Sequence, residues 1–265
     1  MPPARFSFYV LNLAAMAWAL GSLFAGPPPW PWTLLAVSLY SAYFMCGVLF
    51  LRLQIFVDAV LRGPAGAEGV ALTFDDGPDP VWTRRTLDAL DAAGTKGTFF
   101  VIGKKAEANP DVIAEILARG HTVGLHSYGH DRLFAMRGPG TWRRDLKKGM
   151  RVLEKLTGQR PTLFRPPIGH TNPHVARVLR ELRLRVIGWD VGARDGITAD
   201  PGVVAARVLA RATHGSIILL HDAAERGDRE PAGVLALPSI LAGLKERKLD
   251  VVPLAAFVAR GSGAR

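Results

Sequence analysis

Two long apolar runs open the chain. Residues 6–26 and 33–51 contain no charged side chain, and each is close to the roughly 20 apolar residues that cross a bilayer core as a helix. The segment PPPWPW (27–32) separates them, and proline ends helices while tryptophan prefers the membrane interface. This pattern predicts a transmembrane helical hairpin, followed over residues 52–62 by an amphipathic link along the membrane surface.

Two other interpretations of the first run stay open. Arg5 precedes it and small residues close it, as in a cleaved signal peptide. A buried helical hairpin of a soluble protein has the same pattern. The length of the first run and the second run directly after it favour the membrane hairpin.

Beyond residue 62 the pattern changes to short apolar runs that alternate with amphipathic stretches. The alternation, with short connections, predicts a parallel sheet covered by helices. We therefore divide the chain into a membrane anchor (1–62) and a body (63–265). Strands are predicted at 69–74, 96–103, 121–126, 161–165, 183–190, 215–222 and 249–254. Helices are predicted at 81–94, 110–120, 141–158, 173–182, 201–213, 237–248 and 254–261.

Polar and charged residues with chemical potential follow several of these strands. In barrels built from strand–helix units, functional groups collect at the carboxyl ends of the strands. A closed or nearly closed barrel is therefore favoured over an open sheet. The predicted fold class is α/β, a distorted (β/α)7–8 barrel preceded by the hairpin.

The formal net charge is +10, yet residues 1–62 contain only three arginines and one aspartate. The body has no zinc-finger spacing, helix-turn-helix signal or basic stretch interleaved with aromatics, so we expect no nucleic-acid partner. A body held beside anionic membrane lipid accounts for the charge more simply. The single cysteine, Cys46, excludes an intramolecular disulfide.

Arginines also indicate the orientation of the hairpin. Arg5 precedes the first run, Arg52 and Arg62 follow the second, and the turn between the runs carries no positive charge. Because basic residues stay on the cytoplasmic side, both termini and the body are predicted to face the cytoplasm.

Two motifs contain groups that bind metals. TFDDGP (73–78) places Asp75 and Asp76 side by side after a strand, and adjacent carboxylates need a cation or a shared proton. HSYGH (126–130) spaces two histidines so that both imidazoles can reach one metal. Alone, each motif is equally typical of a polar turn. Together, one Asp and two His leave coordination positions open, as catalytic sites do.

Three further motifs follow predicted strands. FRPPIG contains Arg165, which could hold a carboxylate through two parallel hydrogen bonds. IILLHD (217–222) places His221 at a strand end. WDVGARD offers two acids, Asp190 and Asp195. Each of these has an ordinary structural explanation when it is taken alone.

In this order, at successive strand ends, the five motifs resemble those of the polysaccharide deacetylase family, carbohydrate esterase family 4 with its NodB homology domain. The resemblance covers about residues 68–260 and excludes the apolar hairpin. It implies a NodB-type barrel. It also implies a metal-dependent hydrolase that removes an N-acetyl or other N-acyl group from an amino sugar.

The resemblance also implies roles for individual residues. The metal ligands would be Asp76, His126 and His130, and the cofactor would be one divalent ion, most often Zn²⁺ in the family. Asp75 would be the general base, oriented by Arg165.

The acid and the oxyanion site follow from the same resemblance. His221 would be the general acid, with Asp195 as its best-matching acidic partner. Backbone N–H groups near Pro167 and Ile168 would complete an oxyanion hole. The chain departs from the family where Ile168 replaces an aromatic residue and Gly196 replaces a tryptophan, so we expect activity with an altered substrate groove.

The implied partners are an amino-sugar glycan or a polyprenyl-phosphate-linked sugar, together with membrane lipid, at the bacterial cytoplasmic membrane. The absence of a clean export signal and the predicted orientation favour the lipid-linked sugar. Two alternatives stay open. One is a non-catalytic glycan-binding or scaffold protein on a decayed fold, and the other is a deformylase of a lipid-linked amino sugar.

Overall fold

The two apolar runs form long helices in the computed structural model, which describes residues 1–26, 28–224 and 230–258. They are α1 (Pro3–Ala25) and α2 (Trp30–Leu49). Both have a mean hydropathy of 1.6 over an 18-residue window, and 0% and 11% of these windows are buried. By length and composition, both helices are candidate membrane spans.

The body consists of short strands and surrounding helices. The strands are β1 (Ala59–Val60), β2 (Ala71–Asp75), β3 (Thr98–Val101), β4 (Thr122–Leu125), β5 (Leu163–Phe164), β6 (Arg185–Ile187), β7 (Val191–Gly192) and β8 (Ile217–His221). The helices are α3 (Trp82–Ala92), α4 (Gly103–Ala108), α5 (Pro110–Ala118), α6 (Pro139–Thr157), α7 (Val175–Leu182), α8 (Pro201–Arg211), α9 (Ala232–Glu246) and α10 (Ala255–Val258).

All eight strands belong to one sheet, in the order β1-β6-β5-β4-β3-β2-β8-β7, and every pair is parallel. The sheet curls into a half-barrel, so the predicted NodB-type α/β architecture is confirmed. Among the described residues β1 and β7 are the two end strands, which leaves the barrel open rather than closed.

Several strands and helices begin or end at residues other than those predicted from the sequence. The strand predicted at 96–103 ends at Val101, and α4 begins two residues later. The strand predicted at 183–190 corresponds to β6, and β7 follows after a break. The strand predicted at 249–254 is wrong, because this segment forms only a single bridge, between Val70 and Val251. Of the helix predicted at 254–261, residues 259–261 lie outside the described part of the chain.

The predicted amphipathic link over residues 52–62 is largely part of the body instead. Ile55, Phe56 and Val57 are buried in the main core, and β1 pairs with β6 at the end of the sheet. Their apolar surface is therefore covered by protein. An amphipathic pattern identifies an apolar face but not the surface that covers it.

The hairpin packs on this segment. The rings of Phe8 and Phe44 lie 5.5 and 5.3 Å from that of Phe56. Near the end of α2, the carbonyl of Val48 accepts a hydrogen bond of 3.1 Å from the backbone N–H of Thr171. The base of the hairpin is thus fixed against the loop that follows β5.

Large side chains fill the space between sheet and helices. Phe74 and Phe99 stack with ring centroids 5.0 Å apart, and Trp142 stacks on Phe134 at 3.9 Å. All five residues of β2 are buried, as expected of a central parallel strand covered on both faces. This rigid layer supports the carboxyl ends of the strands, where the polar motifs lie.

Candidate active site

Four of the five motifs have a residue at or directly after the end of a strand, on the carboxyl edge of the sheet. Asp75 is the last residue of β2, and it lies in register with His221, the last residue of β8. His126 directly follows β4, and Arg165 directly follows β5. Since neighbouring parallel strands end at the same edge, residues far apart in sequence become neighbours here.

Asp76, His126 and His130 form a compact cluster. Their ligand atoms all lie within 4.8 Å of one another. Asp76 Oδ1 is 3.6 Å from His126 Nε2 and 3.3 Å from His130 Nε2. One carboxylate and two imidazoles on one side of a cavity match the donor set of a catalytic divalent-metal site.

The chemistry of the donors fits a cation. His126 Nδ1 hydrogen-bonds to the carbonyl of Arg165 at 2.8 Å, which assigns the proton to Nδ1 and leaves Nε2 to bind a metal. Burial lowers the pKa of His126 to about 3, so its ring is neutral at physiological pH. Among the described residues Asp76 Oδ1 is buried and accepts no hydrogen bond, although such an atom normally has a partner.

The loops that carry these ligands adopt an unusual backbone conformation. Asp76, Ser127, His130 and Ile168 have φ values of 73°, 62°, 50° and 58°, the left-handed region that non-glycine residues seldom occupy. Such strain persists only where the surroundings impose it, and it concentrates at functional sites.

Two supporting residues were missed by the sequence analysis. Lys105 of α4 donates to the backbone carbonyl of Asp76 at 2.8 Å. Asp145 of α6 accepts from the N–H groups of Tyr128 and Gly129 at 2.7 and 3.0 Å. Both lie on helices, among other charged residues, so no local sequence signal distinguishes them.

Asp75 forms a buried ion pair with Arg165. Arg165 Nη1 lies 2.8 Å from Asp75 Oδ1, and it also donates to Thr73 Oγ1 at 2.9 Å. The guanidinium is fully buried, and its other groups donate to the carbonyls of Ile187 and Gly188. Burial raises the pKa of the Asp75 carboxyl while Arg165 opposes the rise, so this carboxylate is fixed in position and more basic than one in water.

His221 is held by Asp195. The two carboxylate oxygens of Asp195 contact Nδ1 and the backbone N–H of His221, at 2.9 and 2.8 Å. Burial alone lowers the pKa of His221, but the Asp195 carboxylate, with smaller effects of Asp76 and Asp75, outweighs it and raises this pKa to about 10. His221 is therefore protonated at neutral pH and can donate a proton.

The other acid of the WDVGARD motif lies elsewhere. Asp190 accepts hydrogen bonds from Ser216 Oγ and the N–H of Ile217, near the start of β8, and pairs with Arg62. Asp195 is thus the acid that contacts His221, whereas Asp190 holds the start of β8 through hydrogen bonds.

A cavity of about 570 Å³ opens above these groups. It is lined by Asp75, the metal-ligand cluster, His221 and Asp195, with Ile168, Trp189, Gly196 and Ile197 on its walls. Pro167, the residue before Ile168, is buried. Since proline has no N–H, of the two predicted oxyanion positions only Ile168 can donate one from the backbone. The volume is within the range of small-molecule sites.

The sequence profile of the polysaccharide deacetylase family matches residues 62–187. A peptidoglycan-N-acetylglucosamine deacetylase of Bacillus cereus is 34% identical over 187 residues, which are 69% of this chain and 85% of that protein. The chain belongs to the polysaccharide deacetylase family. The order of its strand-end motifs is explained by this membership, and the prediction of the family is confirmed.

Other members of the polysaccharide deacetylase family are also similar to this chain. The peptidoglycan-N-acetylglucosamine deacetylase of Listeria monocytogenes is 40% identical over 153 residues, which are 58% of this chain but only 32% of that protein. The crystal structure of the Bc1960 peptidoglycan N-acetylglucosamine deacetylase superposes with a TM-score of 0.70 at 31% identity, over 74% of this chain and 91% of that one.

Proposed function

We propose that this protein is a metal-dependent carbohydrate N-deacetylase that hydrolyses the acetamide of an amino sugar in a glycan. The observation that carries the proposal is the convergence of Asp76, His126 and His130 within 4.8 Å of one another. A possible base, Asp75, and a possible acid, His221, flank this cluster on neighbouring strands. Membership in the deacetylase family supports the same reaction.

Asp76, His126 and His130 would hold one divalent ion, for which we propose Zn²⁺. When bound, such an ion lowers the pKa of water and polarises an acyl oxygen. Lys105 and Asp145 support this cluster, through the backbone of Asp76 and of the HSYGH motif.

The remaining chemistry belongs to side chains and backbone. Asp75, held by Arg165, takes a proton from the attacking water. The N–H of Ile168 would donate to the developing oxyanion. His221, kept protonated by Asp195, gives its proton to the departing amine, and acetate and a free amino sugar result.

Metal binding tests the ligand assignment directly. We expect Asp76→Ala and His126→Ala to lose the bound metal and all turnover. His174→Ala, an exposed histidine away from the site, should keep both. Metal content of the purified full-length protein, measured by mass spectrometry, is the readout that does not depend on activity. A full metal load in both ligand variants would refute the site.

The proton donor is tested separately. We expect His221→Ala to keep its metal and to lose about 10²-fold or more in kcat, because general acid catalysis typically contributes 10²–10⁴-fold. Retention of the full rate would exclude His221 as the acid and leave the metal site untouched.

We also propose that the hairpin is a retained anchor in the cytoplasmic membrane and that the substrate lies at the membrane surface. The aromatic contacts of Phe8 and Phe44 with Phe56 favour an anchor over a cleaved signal peptide. Thr171, bonded to Val48 at the end of α2, is three residues from Ile168, a span of at most about 10 Å. This proximity favours a lipid-linked amino sugar over a distant polymer.

Topology mapping distinguishes the two substrate classes. A single cysteine introduced on the body in a Cys46→Ser background should be protected from a membrane-impermeant thiol reagent in intact cells if the body is cytoplasmic. If the reagent labelled this cysteine in intact cells, a lipid-linked sugar on the cytoplasmic side would be rejected as the substrate. An extracytoplasmic polymer would then be favoured. Mass spectrometry of lipid extracts and wall polymers with and without the gene identifies which one loses acetyl or formyl groups.

A further inference from the structure

A second cavity lies at the junction of the hairpin and the body. Its volume is about 650 Å³, and it is separate in its lining from the cavity above the metal-ligand cluster. Its walls come from α1, from the segment leading into β1, and from α7 with the start of β6. Four arginines line it, Arg5, Arg180, Arg183 and Arg185, against one acid, Asp58.

Arg5 is built into this cavity rather than extended into solvent. Its Nε donates to the carbonyls of Gln54 and Ile55 at 2.9 and 3.1 Å, and its side chain is only 15% exposed. Nη1 pairs with Asp58 at 2.9 Å. Among the described residues Nη2 is buried and has no hydrogen-bond partner. A buried donor of a charged group without a partner is costly, and an anion would satisfy it.

Of the other arginines, Arg185 donates to the carbonyl of Val258 at 2.7 Å, whereas the exposed Arg180 and Arg183 leave positive charge on the rim. Arg180 and Arg183 form no ion pair or side-chain hydrogen bond within the described residues, whereas Arg177 on the same helix pairs with Glu181. Arg183 ends α7 at φ 56°, a left-handed position where glycine is the usual residue. Asp58 is 81% exposed, so its carboxylate can turn to solvent when another anion binds Arg5.

The floor of the cavity has a different character. Phe8 and Tyr9 of the first apolar helix line it, together with the buried Ile55 and Phe56. Tyrosine is typical of the membrane–water interface, and Arg5 lies two residues after the first residue of this candidate span. Basic groups on the rim above an apolar helix face match the two ends of an anionic phospholipid.

From this arrangement we propose that the arginine-lined cavity binds the phosphate headgroup of an anionic membrane phospholipid. The phosphate accepts hydrogen bonds from Arg5 and from the rim arginines, and the acyl chains follow Phe8 and Tyr9 along α1. Arginine suits this task because its guanidinium donates two parallel hydrogen bonds to a phosphate. The bound lipid would fix the body against the membrane beside its anchor.

The test uses the full-length protein in a neutral detergent, titrated with dioctanoyl phosphatidylglycerol and followed by thermal shift and by native mass spectrometry. We expect saturable binding that dioctanoyl phosphatidylcholine does not reproduce. The double variant Arg180→Gln/Arg183→Asn should bind at least about tenfold more weakly, since it loses two charged donors. Asparagine is chosen at position 183 because it tolerates the left-handed backbone.

Arg177→Gln is the matched control, because it removes one charge from the same helix outside the cavity. Unchanged affinity in the double variant, or an equal loss in Arg177→Gln, would overturn the proposal. Inorganic phosphate that saturated the site and displaced the lipid at a similar concentration would indicate a soluble anion site instead and reject the lipid. Deacetylation of a soluble chitooligosaccharide should be the same in all variants, so this test is independent of the proposed activity.

Discussion

Individual residues at this site derive their chemistry from their neighbours. Asp75 and Asp76 are adjacent and chemically identical, yet one is paired with Arg165 and the other faces two imidazoles. The first can act as a base and the second as a ligand. Sequence identifies the pair of acids, and the surroundings separate their roles.

Asp195 offers the sharpest single-residue test. We expect Asp195→Asn to lower kcat by about 10²-fold with unchanged metal content, because the pKa of His221 falls and fewer molecules carry the donated proton. Asp190→Asn is the matched control, an acid from the same motif that contacts Ser216 and Ile217 instead. Equal losses in the two variants would indicate a structural role for both. Steady-state kinetics with metal analysis measures both quantities.

The buried His121 is expected to make the stability of the protein depend on pH. Its ring is buried, and Nδ1 accepts from the N–H of Gly97 at 3.1 Å. Burial, with a smaller effect of Lys96, lowers the pKa of His121 from the ordinary value of 6.5 to about 4. The native state therefore binds fewer protons than the unfolded chain, so this contribution is complete above pH 6.5 and is lost as the pH falls towards 4.

Between pH 7 and pH 5 the free energy of unfolding should decrease by about 2 kcal/mol through this residue. His121→Asn retains an acceptor for Gly97 but does not titrate, so its stability should change less over the same range. Denaturant unfolding of the full-length protein at both pH values measures the difference. Parallel pH profiles for the two proteins would contradict the assignment.

Helices and loops act at the next scale, since the loop with two of the proposed metal ligands is positioned by elements distant in sequence. The motif HSYGH contains two of the three proposed ligands, but its conformation depends on Asp145 of α6. Each oxygen of that carboxylate holds one backbone N–H, next to residues with a left-handed backbone. A residue 15 or more positions away thus supports the geometry of a five-residue motif.

Asp145→Asn should weaken metal affinity by about tenfold, a typical loss for a residue that supports metal ligands. An asparagine has one carbonyl oxygen, so one of the two N–H groups would face an NH₂ donor. The expected readout is a higher metal dissociation constant with the fold retained by circular dichroism. Asp131→Asn, whose carboxylate bonds the N–H of Leu133 outside the motif, is the control. Equal metal affinities in wild type and Asp145→Asn would show that Asp145 does not support the proposed ligands.

The whole molecule couples its hairpin to its body through a close contact at Gly47. A Cβ atom there would lie 2.8 and 2.9 Å from two ring atoms of Phe56, whereas one at Gly21 would meet nothing within 4 Å. We expect Gly47→Ala to destabilise the full-length protein by about 1–3 kcal/mol through overpacking. Gly21→Ala, in the same hairpin, should leave the melting temperature unchanged or slightly higher. If Gly47→Ala and Gly21→Ala had equal melting temperatures, the contact with Phe56 would accommodate the added methyl group without loss of stability.

What the sequence determines follows from local patterns. Length and apolarity predict α1 and α2, alternation predicts the parallel sheet, and polar motifs at strand ends predict Asp75, His126, Arg165 and His221 on one edge. Each of these features depends on residues that are close together in the sequence, because periodicity and turn chemistry are local.

Tertiary structure decides the rest. Only packing reveals that Ile55, Phe56 and Val57 are buried in the core, that the sheet stays open, and that Asp195 rather than Asp190 reaches His221. Asp145, Lys105 and the arginine-lined cavity likewise depend on contacts between distant elements. A charged residue on a helix has the same local pattern whether it meets solvent, a loop or a lipid, so only the folded chain distinguishes these cases.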